Sequence, residues 1–182
     1  MSTAVTPEFG VAPLRVALIE DPVAFLSAEH GRQMALLAHL DRLARAPAAR
    51  GARQMATALL RWLEKELPVH IADEDDSLYP RLRPHDPNGA LAHLAGQRQR
   101  DARLVTDIIS GLRRIAAGEE AGRAFPVVTG GFTRLHRQHL HIKEATVTPL
   151  ARAVLTGESA TALATEMARR RGIKGPWTCP MD

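Results

Sequence analysis

Apolar residues recur at three- and four-residue spacing through four long stretches of this chain. Each such stretch is an amphipathic helix that must bury one face, and little else satisfies that pattern. Leu26, Leu37 and Leu40 mark the stripe of a first helix, which Asp21-Pro22 opens and Pro47 ends. Leu60, Leu63, Leu67, His70, Glu74 and Leu78 mark a second, from about Arg50 to Leu82, and the stripe keeps its phase across Pro68. That proline is expected to kink the helix and not to end it. A third helix is expected from Ala90 to Ala117, between the turn Asp86-Pro87-Asn88-Gly89 and Gly118, and a fourth from Pro126 to Leu155. Short connections make neighbours antiparallel. The expected fold is all-α: an up-down-up-down four-helix bundle over residues 21–155. An arm, 1–20, precedes it, and a short helix (Ser159 to Arg171) and tail, within 156–182, follow.

Composition supports helices and narrows function. The 182 residues are rich in Ala, Leu and Arg, and only 4% are aromatic. The net charge is +4, but no compact basic run is interleaved with aromatics, so no nucleic-acid site is expected. Cys179 is the only cysteine, which excludes an intrachain disulfide and leaves a thiolate metal site unsupported. No leader-like segment and no long apolar run is visible, so no membrane association and a cytoplasmic location are expected. There is no Ser/His/Asp or Cys/His arrangement and no Gly-rich phosphate loop, so catalysis is not expected.

The polar residues on the apolar stripes carry the chemistry. His30 lies on the first stripe, where it is either a ligand or a hydrogen-bonded core residue. His70 and Glu74 stand four apart on the second and share a helix face. A carboxylate buried there needs a partner or a metal. Imidazole and carboxylate converging in a helical bundle suit iron, manganese or zinc. On the fourth helix, at about 100° per residue, His136 and His139 lie on the inward face and His141 points away. Lys143 falls near the apolar centre and Glu144 well off it, able to reach inward only if the helix is distorted. His70 and His139 each stand ten residues before a proline, Pro80 and Pro149. On the third helix Arg98 and Asp101 lie on the inward face, as an internal ion pair or with the arginine head reaching water. Gln97 is at the edge of that face and His93 is further round.

These segments resemble the hemerythrin-like family, the bacterial HHE cation-binding domains. The resemblance spans roughly residues 21–155 and rests most on Asp21-Pro22 to Ala28-Glu29-His30 and on His70-Ile71-Ala72-Asp73-Glu74 through Tyr79-Pro80. It implies an antiparallel four-helix bundle around a di-iron centre, held by bridging carboxylates and histidines. By position it implies His30, His70, Glu74 and His139 as metal ligands. The second bridging carboxylate falls at Lys143, or at Glu144 in the variant one residue longer. The third-helix histidine falls near Gln97 or Arg98, with His93 as a substitute if the register shifts. Arg98 and Lys143 would bring positive charge to the side of a second metal. A di-iron site, a one-metal site and an empty polar core all stay open.

The expected function is therefore binding of a metal, iron first, in an oxygen, nitric oxide or redox context, with dioxygen or nitric oxide as the small ligand. The alternatives are a metal-free helical interaction module, whose tail carries Trp177, and a mononuclear iron oxidoreductase.

Overall fold

In the computed structural model, which describes residues 14, 16–86 and 89–173, every regular element is helical. The side chains of Val16, His93 and residues 95–102 lie outside the described residues. A 3-10 turn, Val16–Glu20, leads into α1 (Pro22–Arg45). Asp21 caps α1, its Oδ1 accepting the Ala24 N–H at 2.8 Å, and Pro22 takes the first turn, where no N–H is needed. A continuous helical run follows: α2 (Ala52–Arg61), α3 (Leu67–Ala72) and α4 (Tyr79–Leu82), separated by the π turns Trp62–Glu66 and Asp73–Leu78. Next comes α5 (Ala90–Ala117), whose first N–H groups are accepted by Asp86. Then α6 (Phe125–Ile142) runs through the π turn Lys143–Val147 into α7 (Thr148–Val154), and α8 (Gly157–Arg170) closes the described chain.

The three π turns have one cause. Each ends two residues before a proline: Pro68, Pro80 or Pro149. A proline ring excludes the carbonyl four residues back and offers no N–H, so the preceding turn widens. The residue just before each proline donates to the fifth preceding carbonyl: Leu67 to Trp62, Tyr79 to Glu74, and Thr148 to Lys143. The expected kink at Pro68 is thus a widened turn, and the helix continues through it.

Two apolar clusters flank a polar layer. One joins Leu37, Leu40 and Leu43 of α1 to Ala56 and Leu59 of α2, Trp62 and Leu63, Ile108, Leu112 and Ile115 of α5, and Phe132 of α6. The other joins Val23, Phe25 and Leu26 of α1 to Leu78 and Leu82, to Leu91 and Leu94 of α5, to Val147 of the third π turn, to Ala151 of α7 and to Leu163 of α8. Each buried leucine is worth about 1.5–3 kcal/mol, so the clusters hold the helices together. Between them in chain position lie His30, Gln33, His70, Asp73, Glu74, Ser77 and Lys143, with His136 and His139 just before Leu140 of the first cluster, all buried. α8 is tied to the back of this layer. The carboxylate of Asp73, fully buried, pairs with Arg170 at 3.0 Å and Arg171 at 2.6 Å, and Arg81 pairs with Glu166 at 2.7 Å. Among the described residues no helix is long and apolar enough to cross a membrane.

Candidate metal centre

The site is assembled from α1, the α3 run and the π turn after α6. His30 faces inward because it sits on the stripe that carries Leu26 and Leu37. His70 is on α3, and Glu74 lies in the π turn that Pro80 forces. His30 Nε2 is 3.3 Å from Glu74 Oε1, and His70 Nε2 is 3.4 Å from the same oxygen. One ligand atom from each residue lies within 4.8 Å of the others, and all three side chains are buried. The two rings meet edge to face, their centroids 5.1 Å apart.

The atoms around this triad determine what it can do. His30 Nδ1 is 2.5 Å from Glu144 Oε1, and Ser27 Oγ donates to Glu144 Oε2 at 2.8 Å. With Nδ1 carrying the proton toward Glu144, Nε2 presents a lone pair to Glu74. Neither ring nitrogen of His70 has a hydrogen-bond partner. Two imidazole nitrogens and a carboxylate oxygen thus converge, and in the tautomers that leave both Nε2 atoms unprotonated three acceptor sites face one another. That arrangement repels itself unless a cation or an added proton stands among them. An imidazole, an imidazole and a carboxylate form a donor set for a borderline divalent metal, so the residues present fit one cation.

Electrostatics agree with this assignment. Burial pushes His70 down to about 4, against a smaller upward pull from Glu74, so its ring is neutral and free to donate a lone pair. Burial pushes the Glu74 carboxyl up, but Lys143 and the two histidines outweigh it and hold it well below the usual carboxylate range. Glu144 is raised by partial burial and lowered further by its bonds from His30 and Ser27, ending below its ordinary value.

Lys143, the first residue of the third π turn, is buried, and its Nζ lies 2.6 Å from Glu74 Oε2. Glu144, the next residue, has a side chain 39% exposed and reaches His30 from the rim. The distortion that lets it do so is the widened turn before Pro149. His136 is stacked on Phe132, and its Nε2 is 2.8 Å from Gln33 Oε1. Burial, then Lys143, holds it well below the ordinary imidazole value. His139 is buried with its ring 6.5 Å from that of His136. Neither His139 nor Glu144 belongs to the convergent group among the described residues. His93, Gln97, Arg98 and Asp101 lie outside the described side chains, and Trp177 and Cys179 outside the described residues.

Sequence reasoning did not single out Gln33, Ser27 or the Asp73–Arg170–Arg171 cluster. Gln33 lies on the α1 stripe, and that position is the signal for it. Nothing in the sequence links Asp73 to residues so far along the chain. A family model, the hemerythrin HHE cation binding domain, matches residues 21–151. Neither a curated protein nor a solved structure gives a match.

Proposed function

This chain belongs to the hemerythrin HHE cation-binding family, and from that premise we propose that it binds iron through His30, His70 and Glu74, in oxygen, nitric oxide or redox binding or sensing. The observation that carries this reading is the buried convergence of two imidazole nitrogens and one carboxylate oxygen, with both His70 nitrogens lacking a hydrogen-bond partner. A bound iron would supply an open coordination position for a diatomic ligand. The chain's own residues do the rest. Glu144 orients His30, the two apolar clusters limit water around the polar layer, and the exposed rim at Glu144 and Ser27 is the side from which a small ligand enters. His139 on α6 and His93 on the third helix belong to the same reading as further ligands.

The fold that goes with this function is the antiparallel up-down-up-down bundle. The order in which the helices visit the two clusters supports it. α1 passes from the Val23–Leu26 end to the Leu37–Leu43 end, the α2–α4 run returns, α5 ascends and α6–α7 descends.

Metal analysis of the full chain, purified with iron and then stripped and reloaded, tests the reading. Bound iron whose visible absorption changes with dioxygen or nitric oxide supports it. A chain that takes up no Fe(II), Mn(II) or Zn(II), and is not stabilised by them, sinks it. The Lys143–Glu74 pair favours one competing reading, a metal-free helical interaction module, because it neutralises the buried carboxylate without a metal.

A further inference from the structure

We propose that the Lys143 ammonium occupies the place a second cation would take, so that this site holds one metal ion and no more. The inference rests on the metal-binding reading above and fixes its stoichiometry.

Three observations carry it. First, Glu74 has no oxygen left for a second ion. Its Oε1 faces His30 and His70, at 3.3 and 3.4 Å, and its Oε2 is 2.6 Å from Lys143 Nζ. A divalent ion approaching Oε2 would meet a buried positive charge at contact distance, with little water to screen it. Second, one imidazole of the same buried layer, His136, is already engaged. His136 Nε2 donates to Gln33 Oε1 at 2.8 Å, so that nitrogen has no lone pair to offer. Third, the second helical run and the fourth repeat one another. His70, Glu74 and Pro80 stand at the same spacings as His139, Lys143 and Pro149, and each proline produces a π turn. In one run the residue four after the histidine is an anion; in the other it is a cation, and the two meet across the layer. Glu144, the one carboxylate of that second turn, is turned to His30 Nδ1 instead. Consecutive residues of one widened turn thus occupy the outer atom of each of two ligands.

The test is titration of the metal-free full chain with Co(II) and with Zn(II), counting equivalents by calorimetry and elemental analysis. The wild-type chain is expected to bind one equivalent, and Lys143→Glu two. Two equivalents in the wild type would overturn this inference and leave the metal-binding reading intact. No binding at all would overturn both. A folded Lys143→Glu chain that still takes one equivalent would show that the lysine does not set the count, and would also overturn the proposal. If Lys143→Glu does not fold, Lys143→Gln removes the same charge with a neutral side chain. It is expected to admit a second equivalent at high metal concentration, and one equivalent throughout would be decisive against the idea.

Discussion

Glu144 Oε1 lies 2.5 Å from His30 Nδ1, on the side of the ring away from Glu74. A carboxylate placed there fixes which nitrogen carries the proton and which way the ring faces, and it raises the basicity of the other nitrogen. In the metal-binding reading it makes Glu144 a positioning residue that would act on a bound ion through His30.

Replacing Glu144 should therefore weaken the site without changing how many ions it takes. Glu144→Ala is expected to lower affinity for Co(II) or Zn(II) by about 10- to 100-fold at unchanged stoichiometry, and Ser27→Ala by less. Direct titration checks this. A loss of one whole equivalent in Glu144→Ala would instead make Glu144 a ligand.

His70 separates stability from function. Two buried ring nitrogens without hydrogen-bond partners cost stability, about 1–3 kcal/mol for each unsatisfied group. His70→Leu should melt at or above the temperature of the metal-free wild type, and should lose all stabilisation by added metal. Calorimetric melts with and without Zn(II) read both effects. A metal-free His70→Leu chain that melts far lower would mean that the ring has a structural role.

Acid should destabilise the metal-free chain from the imidazoles outward. Burial pushes His70 from 6.5 down to about 4, and holds His136 well below its ordinary value. Both rings are neutral in the fold but take up protons in the unfolded chain below the ordinary value. Bases with depressed folded values give stability that is present above the unfolded pKa and lost as pH falls toward the folded one. Stability should fall from about pH 6.5 to about pH 4, with about 3 kcal/mol from His70 alone. Urea denaturation across that range checks it. A flat profile, or one that His70→Leu leaves unchanged, would contradict the assignment.

The C-terminal helix is held to the back of the site by charge. Arg171 pairs with the fully buried Asp73 at 2.6 Å and lies over the Phe25 ring at 4.8 Å. Arg171→Ala leaves that carboxylate with Arg170 alone and removes the cation–π contact. A loss of about 1–3 kcal/mol is expected, with faster proteolysis within α8. An unchanged melt and an unchanged cleavage pattern would show that apolar contacts alone dock the helix.

Gly111 of α5 lies directly under the ring of Phe125, the first residue of α6. A Cβ there would drive into the Phe125 ring, and glycine is the residue that lets the helices approach. Gly111→Ala gains about 1 kcal/mol of helix propensity but forces a well-packed ring to move, at about 1–3 kcal/mol. A net lower melting temperature is expected, and a higher one would mean that the ring shifts at no cost.

Periodicity alone locates the helices, because a buried stripe must repeat every three or four residues, and the capping of α1 by Asp21 is written in the Asp21-Pro22 pair. His30, His70, Glu74 and Lys143 are legible as inward positions for the same reason. Glu144 is the instructive case. Its angular position puts it outside the core at an ideal turn, and only the π turn before Pro149 brings it to His30. The proline that causes the turn is visible in the sequence, but the amount by which the turn widens is not. The Asp73 cluster was illegible because arginines on a solvated face and arginines beneath a docked helix have the same spacing.

The sequence by itself determined that this chain is helical, about where its helices begin and end, and that His30, His70, Glu74 and Lys143 lie on buried stripes, since all of these depend on residues three or four positions apart. Only the tertiary structure decided how those side chains share their atoms. It placed Lys143 on one oxygen of Glu74 and the two histidines on the other, and it gave Glu144 to His30. Such choices depend on distances of a few tenths of an ångström between helices far apart in sequence, and they are set by packing and by the charge each buried atom must balance.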